Sequence, residues 1–253
     1  KIEEFDRTYD KDELFNVIFQ YPDTFGDIRI PYNYLDFAKE NKILTTGITD
    51  LMALTKIITP AELGCSIALG NCQRFGMPLW YGGPHPAFFA VTPELLRFMP
   101  GKLIGESKDS QGNHAYRLAL QTREQHIKRQ NATSNICTSQ SLLTNVVSFY
   151  SIYHGPKNLV EISKKINNKA KYFLQNVKSL SIINETFFDT ITISINNPAK
   201  FVEYIQQYDI LVRKSSNNTV SFTFDETISY EDIDKLVKYT KYYDSHTFDS
   251  KIY

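Results

Sequence analysis

The chain has 253 residues, 42% of them hydrophobic and 22% charged, which is the composition of a globular protein long enough for one large domain or for a large and a small one. Its 28 basic and 28 acidic residues cancel, so no bulk field draws it to nucleic acid or to an anionic membrane surface. Three cysteines, Cys65, Cys72 and Cys137, form no C-x-x-C pair and have no histidine at ligand spacing. That argues for a reducing compartment and against a metal site, and leaves the thiols as small buried residues.

No run approaches the ~20 apolar residues of a membrane span, and no signal-peptide pattern opens the chain. It begins with Lys rather than Met, so residue 1 is not taken as the true N-terminus. The N-x-T sequons at Asn131, Asn184 and Asn217 carry little weight without a secretory context. No internal repeat or low-complexity segment is present.

In chain order, "LFNVIFQY" is an apolar, β-branched and aromatic run stopped by Pro22, Asp23 and Gly26. The same kind of run returns in "KILTTGIT", "CSIALG" and "AFFAV", and all four read as buried strands. "YNYLDFAKEN" between the first two reads as a short amphipathic helix, giving a β-α-β opening and a parallel, helix-covered sheet. Five glycines or prolines fall between Gly76 and Pro84, in a stretch from Gly70 to Pro93 that contains no lysine. Such a stretch lets backbone approach closely where side chains would clash.

"KLIGESKDSQGNHAYRLAL" predicts a hairpin turning at Asp109 to Asn113, and "SLLTNVVSFYSIYHGP" a helix ended by Gly155 and Pro156. A long helix follows. Leu159, Ile162, Ile166, Ala170, Phe173, Leu174 and Val177 recur at three- and four-residue steps, so one face packs inward and the Lys-rich face is solvated. The strand "FDTITISI", a helix from Pro198 to Tyr208, "ILVRKS" and "TVSFTF" come next, with Val220, Phe222 and Phe224 alternating with polar residues. Ser229-x-x-Asp232 caps a final helix that carries Ile233, Leu236 and Val237 on one face. The expected fold class is α/β, with a mostly parallel sheet in a large domain, 1–155, and a small α+β domain, 156–253, carried on the long connecting helix.

Several of these stretches resemble one family. "QYPDTFGDI", "PLWYGGPHPAFFAV", "RFMPGKLIGESKDSQGNHAYRLALQTREQHIKRQNATSNICTSQSLLTNV", "YSIYHG", "FFDT" and "FTFDET" are similar to glycine dehydrogenase (decarboxylating), the P-protein of the glycine cleavage system, from about Phe15 to about Tyr239. The resemblance implies a fold type I pyridoxal phosphate enzyme of two similar halves, with the Schiff-base lysine in the second half. This chain resembles part of the first half. The full enzyme decarboxylates glycine on pyridoxal phosphate and passes the aminomethyl group to the lipoyl H-protein. Such proteins work in the mitochondrial matrix or the bacterial cytoplasm.

The resemblance also gives individual residues a meaning. Gln73 falls where the other half has its lysine, and an amide cannot form an imine, so no catalytic residue is expected in this chain. Asp50, after "KILTTGIT", falls where the fold places the carboxylate that pairs with the cofactor's pyridinium nitrogen. The alternative for Asp50 is a helix N-cap for "LMALTK". Thr133 and Ser134, before a helix, match hydroxyls that reach the cofactor phosphate across a dimer, and capping serves equally.

His85 and His126 lie in the family's motifs, as proton shuttles or as hydrogen-bonded structural groups. Arg123, Lys128 and Arg129 suit an acidic partner or a solvated helix face. His114, His154 and His246 give no functional signal. The implied partner is a lysine-bearing second half, with the pyridoxal phosphate held mainly there and none bound covalently here. Ser66, Phe25 and Pro86 depart from the family's usual residues. They favour the other expectation, a non-catalytic remnant serving as a structural subunit of a larger assembly.

Overall fold

The computed structural model describes residues 13–99, 103–120, 127, 130, 140–178 and 180–247. Thr133, Ser134, Arg123, His126, Lys128, Arg129, Cys137, Asn131 and the side chain of His246 lie outside the described residues.

The first sheet has the order β1 (Asn16–Gln20), β2 (Leu44–Ile48), β3 (Ile67–Asn71) and β4 (Ala87–Val91). The first three are parallel and β4 returns antiparallel along β3. Helix α1 (Tyr32–Glu40) makes the crossover between β1 and β2 and turns Leu35 and Ala38, one turn apart, into the core. Where the chain leaves β2 it passes close over β3. A Cβ on Gly70 would stand 1.9 Å from the Thr49 carbonyl oxygen, so only a residue without a side chain allows that approach.

Strands β5 (Leu103–Lys108) and β6 (His114–Leu120) form the expected hairpin. Asp109 organises its turn by accepting from the backbone N–H groups of Gln111 at 2.8 Å and Asn113 at 2.9 Å. Helix α2 (Ser141–Asn176) is interrupted at Gly155, whose φ of 65° and ψ of 172° are not helical. Pro156 then restarts the helix, as proline does at a first helical position. Beyond the break, Ile166, Ala170, Phe173 and Val177 are buried.

One part of the helix differs from expectation. Lys169 is not on a solvated face; it is buried and donates to the carbonyls of Asp225 at 3.1 Å and Glu226 at 2.9 Å. Those acceptors offset much of the cost of burying an ammonium, and burial holds its pKa below the usual lysine range.

The second sheet is antiparallel, in the order β7 (Ser181–Ile182), β8 (Thr190–Ser194), β10 (Thr219–Thr223), β9 (Arg213–Lys214). One face packs on α2, α3 (Pro198–Gln206) and α4 (Tyr230–Thr247) through Phe173, Ile191, Phe201, Val220, Phe222 and Ile233. Ser229 and Asp232 form the expected reciprocal cap of α4: Asp232 N–H donates to Ser229 Oγ at 3.1 Å and Ser229 Oγ–H to the Asp232 carboxylate at 2.7 Å.

The other face of this sheet is polar and also covered. Thr192 Oγ1 lies 2.6 Å from Ser221 Oγ, and Thr190 Oγ1 lies 3.0 Å from Thr223 Oγ1. Against it sits the loop after β1. Phe25 O accepts from Thr192 Oγ1 at 2.7 Å and from Asn184 Nδ2 at 2.9 Å, and Asp27 Oδ1 accepts from the N–H groups of Glu185 at 3.0 Å and Thr186 at 3.2 Å. The alternation in "TVSFTF" thus reports two buried faces, one apolar and one of hydroxyls. A small cluster of Met52, Ala53, Phe75, Ile166 and Phe188 fills the joint between the two sheets and α2.

Candidate functional site

Parallel strands end with their carboxyl termini on one side, and the crevice outside those ends is the default ligand site of an open α/β sheet. Here that crevice is a cleft of about 370 Å³. The end of β1 supplies Gln20 and Pro22, the end of β2 Ile48, Thr49 and Asp50, the end of β3 Gly70 and Asn71, and the turn beyond it Gln73 and Arg74; His85 closes the far side. Asp50, Gln73 and His85, which are 23 and 12 residues apart in the chain, therefore converge.

Asp50 has two partners. Its Oδ1 accepts from the N–H of Met52 at 2.8 Å, an Asx turn just before the 3₁₀ turn over Ala53–Thr55, whose cap position is Met52 and carries no side-chain cap bond. Its Oδ2 lies 2.9 Å from Arg74 Nε. Arg74 continues to Asp189 through Nη2 and to Phe224 O through Nη1 at 3.4 Å, with the guanidinium carbon 6.0 Å from the centre of the Phe188 ring. One guanidinium thus joins the ends of β2, β3, β8 and β10. The Asp189 side chain is only 8% exposed. Burial pushes its carboxyl up from the usual range and Arg74 pulls it back.

The remaining groups are held rather than poised. Gln73 donates its main-chain N–H to Asn71 Oδ1 and its side-chain amide to Met77 O, each at 2.6 Å. His85 Nε2 faces the carbonyls of Pro78 at 3.3 Å and Leu79 at 3.2 Å, so that nitrogen carries the proton. Cys72 lies beneath, its thiol pushed up to about 11 by burial and then by the Asp50 charge. Elsewhere, His114 sits 3.7 Å from Glu106 on the exposed hairpin, and His154 packs on Tyr150 with ring centres 4.4 Å apart. No three acidic, histidine or cysteine side chains gather to hold a metal among the described residues.

Sequence reasoning did not single out Arg74 or Asp189. The available signals were the position of Arg74 directly after Gln73 in a stretch without lysine, and the place of Asp189 inside "FFDT". What joins them is a contact over 115 residues, which no local pattern reports.

The family model for the glycine cleavage system P-protein matches residues 1–240. The chain belongs to the P-protein family. It is 41% identical to the mitochondrial glycine dehydrogenase (decarboxylating) of Pisum sativum over 235 residues, and 43% identical to that of Mus musculus over 228. Those matches cover 92% and 89% of this chain but 22% of each relative, so the chain spans under a quarter of their length. Among solved structures, glycine decarboxylase (P-protein) of the glycine cleavage system, in inhibitor-bound form, matches with a TM-score of 0.83 and 26% identity, over 90% of this chain and 55% of that one. An apo cysteine desulfurase from Thermococcus onnurineus NA1 matches with a TM-score of 0.63 at 12% identity over 92% of this chain and 60% of its own. It shares the fold, which is α/β and of fold type I.

The cleft of this P-protein segment does not fit covalently held pyridoxal phosphate. Among the described residues none that lines it is a lysine, and the amide at Gln73 offers no nucleophile. The Asp50 carboxylate is already committed to a guanidinium and a main-chain N–H. A pyridinium that enters the cleft therefore competes with Arg74 for the Asp50 carboxylate.

Proposed function

We propose that this chain is part of the first half of a glycine dehydrogenase (decarboxylating), and that it acts only together with a lysine-bearing second half. The whole protein would carry out pyridoxal phosphate-dependent decarboxylation of glycine and transfer of the aminomethyl group to a lipoyl H-protein. This chain would contribute a wall of that site and a surface for the partner. Its large-domain and small-domain regions would meet at residues 155 and 156, where Gly155 breaks the connecting helix. The mitochondrial names of the relatives favour the mitochondrial matrix, with the cytoplasm as the bacterial counterpart. Thr133 and Ser134 would hold the phosphate of the partner's cofactor.

The observation that carries this reading is the content of the cleft: a family member whose own strand-end crevice holds Gln73 and a paired Asp50. The same observation favours a second reading, in which the chain is a non-catalytic remnant within a larger assembly. Borohydride reduction of the chain with pyridoxal phosphate should label no specific lysine. A single stoichiometric pyridoxyl-lysine in this chain overturns the proposal. Reconstitution separates the two readings. With a second-half P-protein added, Thr133→Val should weaken pyridoxal phosphate affinity by about ten- to a hundredfold. In the remnant, cofactor affinity does not change and only stability falls.

A further inference from the structure

Gln73 and Arg74 line a second cavity as well as the strand-end cleft. It has about 550 Å³ and is bordered by Met52, Met77, Ile166 and Thr223 among others. These two side chains are therefore the wall between a cleft of mixed lining and a more apolar one. Arg74 is held in that wall on several sides, with Nε on Asp50, Nη2 on Asp189, Nη1 toward Phe224 O and the plane near Phe188. A planar fork reaches two carboxylates at once, which a lysine's point charge does not. Asp189 makes the arrangement costly to undo, because a carboxylate this buried is stable only when paired.

We propose that Arg74 is a built-in occupant of the place between Asp50 and Asp189. It supplies from within the chain the planar cation that Asp50 and Asp189 would otherwise draw from outside. In doing so it competes at Asp50 with guanidinium-like and protonated heteroaromatic ligands that enter the cleft, and it stands between the two cavities. The inference deepens the reading that this half holds no cofactor of its own. Its test needs no partner half and no turnover, so its failure and the failure of that reading are distinguishable.

The test uses the full chain with Arg74→Ala, and in parallel Arg74→Met, which keeps an apolar stem should the alanine variant fold poorly. Methylguanidinium is titrated at constant ionic strength while the melting temperature is followed. Each variant should be stabilised saturably, by about 3–6 °C at ten times the dissociation constant, and the wild-type chain not at all. Adding Asp50→Asn to either variant should abolish the gain. Equilibrium dialysis with pyridoxamine 5′-phosphate gives a second readout: retention by the Arg74 variants and none by wild type. Equal responses of wild type and variants overturn the proposal. So does a variant without any gain, or a gain that survives Asp50→Asn.

Discussion

Gly26 shows how little room the joint between the two sheets leaves. Its φ is +89°, and a Cβ there would lie 2.5 Å from the Thr190 carbonyl oxygen, a backbone atom that cannot turn away. Gly26→Ala combines left-handed strain with overpacking, so it should cost about 2–4 kcal/mol. Urea unfolding checks this: the midpoint should fall with an unchanged slope. Cys72 offers a test by pH. Its folded pKa of about 11 lies above the unfolded value, so the native state keeps a proton that the unfolded chain releases. The corresponding stability is complete below the unfolded thiol pKa and is lost as pH rises from there through about 11. Cys72→Ala should flatten that part of the stability profile. A slope identical to wild type would show that another group carries it.

At the scale of elements, the break in α2 is a clean measure of backbone strain. Nothing lies within 4 Å of a Cβ built on Gly155, yet its φ of 65° and ψ of 172° fall in a region that glycine occupies almost alone. Gly155→Ala should cost about 1–3 kcal/mol through the backbone, with no clash to relieve. A neutral outcome in thermal unfolding would mean that the two parts of α2 realign when the glycine is removed. Most strands and helices were legible because each rests on local periodicity or punctuation: β1 ended by Pro22, α2 broken at Gly155-Pro156, α4 capped by Ser229 and Asp232. The two-residue β7 was not read, and β1 and β4, expected to be buried, have no buried residue, because a run of apolar residues does not say what covers it. The illegible features are those made by distant partners. The ammonium of Lys169 meets carbonyls 56 and 57 residues away, and Phe25 O meets Thr192 across 167. In each case main-chain atoms accept, and main-chain atoms are the same at every position, so side-chain identity carries no trace of the contact.

At the scale of the whole molecule, the two cores leave a substantial apolar surface outside them. On the first part of α2, Leu142, Phe149 and Tyr153 recur at helical spacing and are 71%, 70% and 84% exposed, with Ile152 beside them. Leu79, Trp80 and Tyr81 add an exposed run in the segment before β4. Contiguous apolar surface of this kind is unusual on a monomer and is commonly an interface. The match to under a quarter of each relative's length fits a surface that the rest of a P-protein covers, as in the reading proposed above. The chain alone should therefore self-associate at micromolar concentration, and Phe149→Lys with Ile152→Lys should shift it toward monomer without lowering its melting temperature, since neither residue is buried. Sedimentation velocity gives the distribution directly. A wild-type chain that is monomeric across that range, with the double variant indistinguishable from it, would mean that this stripe needs no cover. If the variant also fails to assemble with an added second half while wild type succeeds, the stripe is the surface on which the two halves meet.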